Sequence, residues 1–429
     1  MKKPQKAPEL SRIKVVPEIL LDTDSMDLAR KYNEKYLHWD RLQYYDCGKY
    51  GRESLWYMMK VMRLNVCRRV DVGGLSMTYN LLDRFQKPLH MIDTALTAGI
   101  LPMNGFDGKR KMMLSVGSMM EESIASSQIE GAETTAKDAM RMLRNNAEPK
   151  NRSERMILNN YHAMEFIRYN LERDLSPEFI RELHGIATRD TLEERGYEGV
   201  FRRDNSVAVR DALTGETYHE PVSHELIIPM IDSLCSFVND DTDYIHPIIK
   251  GILIHFIVAY IHPFMDGNGR VSRSLFYWYA MKKGYSVMGY LSVSKAIREH
   301  KDGYEEAFQL SETDGNDVTY FLDYNIRMIM QSAEAFAGYL REKIGERRHV
   351  MELTDAGDIT QRQADILASL MNSDAPQDVY ELASAIGVSP QTIRNDLSLL
   401  IAKGYARQSS KDGHKQRFSY SGKKTGPKA

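Results

Sequence analysis

The sequence predicts a mainly α-helical protein with one short β-hairpin near its middle and a helix-turn-helix module at its end. Three observations carry this expectation. A chain of 429 residues exceeds one ordinary core. Apolar residues recur at helical spacing through most windows. The texture departs from that spacing around Val207–Ala208–Val209, and composition and rhythm change again near residue 350. With 42% hydrophobic and 27% charged residues the chain reads as globular, and a net charge of −2 gives no global pull towards nucleic acid or membrane. A local patch would have to serve either partner. Cys47, Cys67 and Cys235 form neither a disulfide framework nor a metal-spaced cluster, which suits a reducing compartment. The N-terminus has lysines but no apolar core of signal-peptide length, and the longest apolar run, 251–261, is half a membrane span. A cytoplasmic protein without a membrane partner is the expectation.

Taken in order, the first hundred residues hold helical patterns rich in aromatics and methionine, such as YNEKYLHWDRLQYY and SLWYMMKVMRL. They carry no chemical constellation. Helical spacing continues from Lys111 to Asn145, broken by SSQIEGAETT, and a charged break at 145–155 precedes another helix. At 175–183, Ser176 can cap a helix, Pro177 presets its first turn and Glu178 suits the positive end of its dipole. In GVFRRDNSVAVRDALTGETYHEP the Val207–Ala208–Val209 run and the Thr214–Gly215–Glu216 turn suggest the hairpin. Helices resume from Val222 to the mid-340s. The run Pro247–Ile261 is longer than most strands, which favours a helix that Pro263 ends.

The stretch HPFMDGNGRVSR, 262–273, then concentrates polar and backbone-permissive residues at the edge of that buried segment. Gly267 and Gly269 let backbone N–H groups converge, and the helix restarting at RVSRSLFYWYAMKKG adds the partial positive charge of its start. Arg270 and Arg273, three apart, present forked donors suited to phosphate oxygens. Asp266 inside an anion site implies a bridging Mg²⁺. His262 is the group here able to take a proton near neutral pH. These parts make a phosphoryl- or nucleotidyl-transfer site; a tight helix–loop–helix turn without a ligand is the alternative. The third glycine of a dinucleotide fingerprint and the GK[ST] of a Walker loop are both absent. His255, seven residues before His262, reads as a core histidine, since no third ligand with metal spacing appears.

HPFMDGNGRVSR resembles the signature of the Fic family, HPFx[D/E]GNGRxxR, at every specified position. The resemblance extends over roughly 175–330 and implies a helical bundle with a β-hairpin flap that transfers AMP from ATP to a protein hydroxyl. It implies His262 as the base, Asp266 as the Mg²⁺ holder, and Gly267, Asn268 and Gly269 as the anion hole. Arg270 and Arg273 would take the outer phosphates, Val271 and Ser272 would complete the phosphate-binding stretch, and Val207, Ala208 and Val209 would pin the target by strand pairing. Tyr304 would wall the adenine, or else be an ordinary packing tyrosine. Upstream, SSQIEG resembles the family's inhibitory pattern through Ser126, Glu130 and Gly131. Ser126 and Glu130, four apart, share a helical face. By resemblance, Glu130 would pair with Arg273 and occupy the room of the γ-phosphate; whether it also assists AMP removal is left open.

Near the end, Leu382, Ala383, Ile386, Val388, Ile393, Leu397 and Leu400 match a helix-turn-helix core. SPQTIRNDLSLLIAKGYARQ resembles the recognition helix and wing entry of DeoR-type winged helices. Gln391, Thr392, Arg394 and Asn395 would then face the major groove. Residues 403–429 hold eight lysines and arginines (Lys403, Arg407, Lys411, Lys415, Arg417, Lys423, Lys424, Lys428) against Asp412. That imbalance suits DNA phosphates, although docking to protein is the competing use. The expected organisation is an N-terminal helical domain (1–110), a helical region carrying the inhibitory motif (111–174), a Fic-like catalytic domain (175–345) and a winged helix (350–429). The expected function is a self-restrained protein adenylyltransferase using Mg²⁺ and ATP on an unidentified target and itself, with DNA and a second copy of the chain as further partners. The competing reading is a DNA-binding regulator whose Fic-like domain only senses a nucleotide. Transfer of another nucleotide or phosphate-bearing group is the alternative within the enzyme class.

Overall fold

Capping residues and apolar spacing place helices along most of the chain, described here from a computed structural model at residues 3–94, 103, 106–210, 215, 217–373, 376–412 and 415–421. The first elements are α1 (Thr23–Glu34), α2 (Trp39–Leu42), α3 (Gly51–Val66), β1 (Arg68–Val72), β2 (Leu75–Tyr79) and α4 (Asp83–Asp93). Next come α5 (Gly108–Ile129), α6 (Ala136–Arg144), α7 (Arg152–Tyr169), α8 (Pro177–Thr188), β3 (Val209–Arg210) and β4 (Thr217–His219). The central helices are α9 (Ile227–Asn239), α10 (Pro247–Ile261), α11 (Asn268–Lys282), α12 (Val293–Glu299), α13 (Lys301–Thr313) and α14 (Thr319–Asp355). The chain ends with α15 (Gln361–Asn372), β5 (Gln377–Asp378), α16 (Val379–Ile386), α17 (Pro390–Ala402), β6 (Ala406–Asp412) and β7 (Lys415–Tyr420). Among the described residues, no helix is long and apolar enough to cross a membrane.

Two compact units divide these elements, one covering 1–100 with 106–334 and the other covering 101–105 with 335–429. In the first, α10 is apolar on every side and buried from Ile248 to Val258, as a central core helix must be. It packs on α11, which packs in turn on α7 and α8, while α5 lies against α7 and α12. The expected N-terminal domain is not a separate body. Lys60 reaches Asp314 (3.0 Å) and Asp317 (3.2 Å), Arg63 donates to the Tyr320 hydroxyl (2.9 Å), and Tyr36 donates to Asp317 (2.8 Å). Buried charges joined this way hold α3 to the α13–α14 connection, because separating them would leave each one unpaired in the interior.

Three local expectations change. YNEKYLHWDRLQYY is not one helix: the chain breaks at Tyr36, whose φ is 54°. RRVDVGGLSMTY forms the antiparallel pair β1–β2 around Gly73 and Gly74, both at positive φ, a hairpin that the Gly-Gly pair between alternating residues signals. The flap strand is shorter and later than expected. Only Val209 of the Val207–Val209 run is in β3, which pairs with β4 through Val209↔His219 and Arg210↔Thr217; Val207 and Ala208 lead into it. Thr214 and Glu216 of the expected turn lie outside the described residues.

The second unit is a winged helix in the expected place. Gly387 ends α16 at φ 78°, Ser389 caps α17 by accepting from the Thr392 N–H, and β5, β7 and β6 form a three-stranded sheet in that order. Leu382, Ile393, Leu397 and Leu400 are buried together with Ile366 and Phe418.

Candidate transfer site

The loop between α10 and α11 is held from all sides. His262 follows α10 with φ 50° and ψ 60°, a left-handed conformation that a residue with a side chain adopts only under constraint. Arg202 supplies the constraint: its Nε donates to the His262 carbonyl (2.9 Å) and its backbone N–H to the Pro263 carbonyl (2.9 Å). Its remaining arms bind the carbonyls of Asp204 (2.8 Å) and Val222. Phe264 is fully buried and stacks on His184 at 3.7 Å. The Gly199 N–H donates to His184 Nδ1, so Nε2 carries the hydrogen and donates to the Asp266 carbonyl, both at 2.9 Å. Burial pulls the His184 pKa down to about 4, which keeps this brace neutral. Gly267, at φ 83°, tolerates no side chain, since a Cβ would meet Thr188 Cγ2 at 2.6 Å.

Beyond this loop, the start of α11 gathers unspent donors. The first N–H groups of a helix have no partner within it and carry its positive end. Arg270 is fully buried, donates through Nη1 to the Ala187 carbonyl (2.5 Å), and has no partner at Nε or Nη2. Arg273, also buried, has none at Nη1. Leaving three guanidinium N–H positions unsatisfied in the interior is costly unless an anion takes them.

One carboxylate already sits there. Arg273 binds the Ser126 hydroxyl (2.9 Å), the Ser126 carbonyl (3.0 Å) and Glu130 Oε1 (2.8 Å). A Cβ on Gly269 would lie 2.1 Å from that same Oε1, so the Glu130 carboxylate rests directly on the first turn of α11. Burial disfavours its charge, but the charge and hydrogen bond of Arg273, with Arg270 behind, outweigh this and hold the carboxyl below its ordinary value. Gly131, at φ 92°, turns the chain away immediately afterwards. The helix bearing Glu130 is rooted by a residue that the sequence reading missed. Glu122, buried, accepts from the Tyr277 hydroxyl (2.8 Å), the Ser294 N–H (2.9 Å) and the Ser292 and Ser294 hydroxyls. Its helix face also carries Ser115, Ser118 and Ser126, so no local pattern in the sequence singles it out.

The remaining candidates divide. His262 is half-buried beside this seat, and its Nδ1 faces the Ala259 carbonyl at 3.4 Å, leaving Nε2 as the proton-accepting nitrogen. Burial and then the neighbouring His219 pull its pKa down to about 4, well below the near-neutral titration expected from sequence. Asp266 spends Oδ1 on the Gly267 N–H (2.5 Å), and Arg152 Nη2 lies 3.4 Å from Oδ2. Among the described residues, no group of three His, Cys, Asp or Glu could hold a metal. Asp266 therefore fits Mg²⁺ only in its usual manner, as one carboxylate added to water and substrate phosphates.

Four expected phosphate contacts are committed elsewhere. The Gly267 N–H is taken by Asp266, and the Asn268 amide clasps the loop through the Phe264 N–H (2.9 Å) and carbonyl (2.8 Å). Val271 is fully buried in the core, and the Ser272 hydroxyl donates back to the Gly269 carbonyl (2.9 Å). Of these, only the Asn268 N–H, at the helix start, still faces the seat by helix geometry. Tyr304 lies with its hydroxyl 2.9 Å from His255 Nε2, packs against His255, Phe321 and Tyr324, and is also close enough to Arg273 for the two to interact, so it borders the seat as well as the core. Burial pulls His255 to about 3, so it is a neutral core histidine.

A model of the Fic/DOC family matches residues 174–280, the stretch containing α8, the flap, α10 and α11 up to Ala280. Over that stretch the chain is similar to the Fic/DOC family. Outside it, a model described as an HTH domain matches residues 362–414. The chain is 31% identical over 122 residues to a protein adenylyltransferase Fic of Nematostella vectensis, covering 28% of this chain and 26% of that protein. It is 28% identical over 109 residues to a protein adenylyltransferase fic-1 of Caenorhabditis briggsae, covering 24% and 21% respectively. The chain thus spans about a quarter of these relatives' length. In fold, it resembles a Fic family protein from Desulfovibrio desulfuricans (TM-score 0.52, 17% identity, 79% of this chain and 95% of that one). It also resembles Fic-1 residues 134–508 from C. elegans (TM-score 0.51, 16% identity, 74% and 85%).

In the HTH domain, Gln391, Arg394 and Asn395 are exposed near the start of α17 and joined side chain to side chain, with Gln391 donating to Asn395 (3.1 Å) and accepting from Arg394 (3.4 Å). Thr392 is half-buried, its N–H used in the cap. Lys423, Lys424 and Lys428 lie outside the described residues, as do the side chains of Lys411 and Lys415.

Proposed function

We propose that this protein is an adenylyltransferase that moves AMP from Mg²⁺-bound ATP to a hydroxyl side chain of a protein, itself included, and that Glu130 restrains it. One observation carries the reading. A carboxylate is seated on the first turn of α11, against Arg273, amid buried guanidinium donors that lack partners. A triphosphate offers those donors the oxygens they want, and Glu130 competes for the same place. The names of the relatives favour adenylyl transfer among phosphate chemistries.

In the reaction, Arg270 and Arg273 hold the outer phosphates and the helix start neutralises charge that develops there. His262 Nε2 takes the proton of the acceptor hydroxyl as its oxygen bonds to the α-phosphorus. The bond from that phosphorus to the pyrophosphate oxygen breaks, and pyrophosphate leaves with the electron pair. Mg²⁺, held by Asp266 with phosphate oxygens, would offset the leaving group's charge. Arg202 and His184 touch no substrate; they fix the loop that aims His262. The free edge of the flap, from Val207 to Val209, would align the target segment by main-chain pairing.

The test is to incubate the full chain with Mg²⁺ and each nucleoside triphosphate in turn and weigh it intact. Addition of one adenylyl group from ATP, and no adduct from the other nucleotides, is expected. Phosphoryl addition, or an adduct formed equally from every triphosphate, would overturn the reading.

The HTH match and the exposed Gln391–Arg394–Asn395 cluster favour DNA as the partner of the second unit. An arginine in that position suits a guanine edge, worth about 1–3 kcal/mol. Arg394→Ala is expected to weaken binding to a selected duplex about tenfold or more, read by fluorescence anisotropy at fixed salt. Equal affinity of both proteins would reject α17 as the reading helix.

A further inference from the structure

The acceptors around one flap histidine decide its protonation. His219 ends β4, with its side chain only 4% exposed. Its Nε2 lies 2.8 Å from the Tyr260 carbonyl and its Nδ1 lies 2.5 Å from Glu312 Oε1. A carbonyl has no proton to give, so Nε2 carries a hydrogen. A carboxylate only accepts as well, so Nδ1 carries one too, and the ring is an imidazolium paired with Glu312. The Tyr260 carbonyl belongs to the last turn of α10, where helix carbonyls lack internal partners and a cation is favoured. This places the charge beside His262, with the two ring centroids 6.4 Å apart. Phe308 stands edge-on to the same ring at 5.6 Å, which keeps water from that side.

We propose that His219 is a positioning residue for the transfer: its doubly protonated ring fastens the flap to the end of α10 and, as a cation beside His262, keeps that imidazole neutral. The proposal rests on His262 being the base. A neutral ring has a free Nε2 to receive the acceptor's proton, whereas a protonated one is inert. Three charged groups act on His262: His219 and Arg202 disfavour its protonation, and Glu130 favours it. The titratable groups facing His219 are Glu312, His262 and Tyr260, whose phenol is held above its ordinary value by burial and by Glu312. The flap, which would carry the target, is thereby coupled to the charge state of the residue that would activate it.

The experiment is an NMR titration of the full chain labelled at histidine Cε1, with the His262 resonance assigned by its loss in His262→Ala. In His219→Gln, the His262 midpoint is expected to rise by about one pH unit, since a cation near 6 Å is withdrawn. Glu312→Gln, which removes the charge holding the second proton on His219, should move it the same way. An unmoved midpoint in both variants overturns the proposal. In a Glu130→Gly background, the acid limb of self-adenylylation should shift upward by the same interval, whereas loss of packing alone would lower the rate equally at every pH. If the Glu130→Gly chain transfers nothing at any pH, the transferase reading fails on its own, and the titration still decides the role of His219.

Discussion

Glu130→Gly is expected to raise the initial rate of self-adenylylation by one to two orders of magnitude, measured with labelled ATP at fixed Mg²⁺. The estimate follows from what the carboxylate must surrender. Glu130 gives Arg273 its one ionic partner, and a buried charge-assisted hydrogen bond contributes about 1.5–3 kcal/mol, or roughly a 10- to 100-fold handicap for a competing phosphate. The helix around it need not move. Glu122 roots α5 in α11 and α12 eight residues earlier, and Ser126 keeps its own two bonds to Arg273. Only one side chain has to leave for the seat to open. Without nucleotide, the same variant should be less stable by about 1–3 kcal/mol in a denaturant melt, because Arg273 loses its counter-charge, and saturating Mg²⁺-ATP should restore more stability to it than to the parent. The pH dependence has a definite sign. The Glu130 carboxyl titrates below its ordinary value, so its contribution to stability is complete above the usual carboxylate range and disappears as pH falls through the lowered one. Parent and variant should therefore converge in stability at acid pH. An unchanged rate would dismiss the restraint, while the stability difference alone would leave Glu130 as a packing residue.

What was legible in the sequence follows the range of the interactions. The 262–273 motif could be read because its residues act through their own backbone: a glycine at positive φ, a helix start and two arginines one turn apart. Ser126 and Glu130 were found through a short pattern whose meaning depends on Arg273, 147 and 143 positions away. Glu122, His184, Arg202 and His219 were missed or left without a role because each acts through contacts remote in sequence. Arg202 grips a carbonyl 60 residues on, and nothing near it announces that grip. Spacing also overstated direct contact. Asn268 and Ser272 carry phosphate-friendly side chains, yet a loop this tight consumes them in holding itself together. The β1–β2 hairpin is the opposite case, since Gly73–Gly74 between alternating residues was a local signal open to reading. The fusion of the N-terminal helices with the central ones could not be read, because Lys60 and Asp314 meet across 254 positions.

His262→Ala is expected to lower transfer by about 10²–10⁴-fold while leaving ATP affinity within a few-fold, measured in the Glu130→Gly background by intact mass and by a fluorescent nucleotide. The two quantities separate because the groups do. The proposed seat for phosphate is made by Arg270, Arg273 and the start of α11, none of which bonds to the His262 ring. Truncating that ring removes the proposed proton acceptor alone. The loop should survive, because Arg202 grips the carbonyl of residue 262 and the backbone of Pro263 and makes no use of the imidazole. Alanine at φ 50° costs roughly 1 kcal/mol, less than the several bonds that pin the loop. Acid stability supplies an independent check. Folding lowers the His262 pKa from 6.5 to about 4, so as pH falls through that window the unfolded chain takes up a proton that the folded one refuses, and stability drops. The variant lacks this site and should lose less stability between pH 6.5 and 4 than its parent, even though His184, also pulled to about 4, keeps both proteins acid-sensitive. Retained transfer would remove His262 as the base, and loss of nucleotide binding together with transfer would mean that the ring holds the loop open.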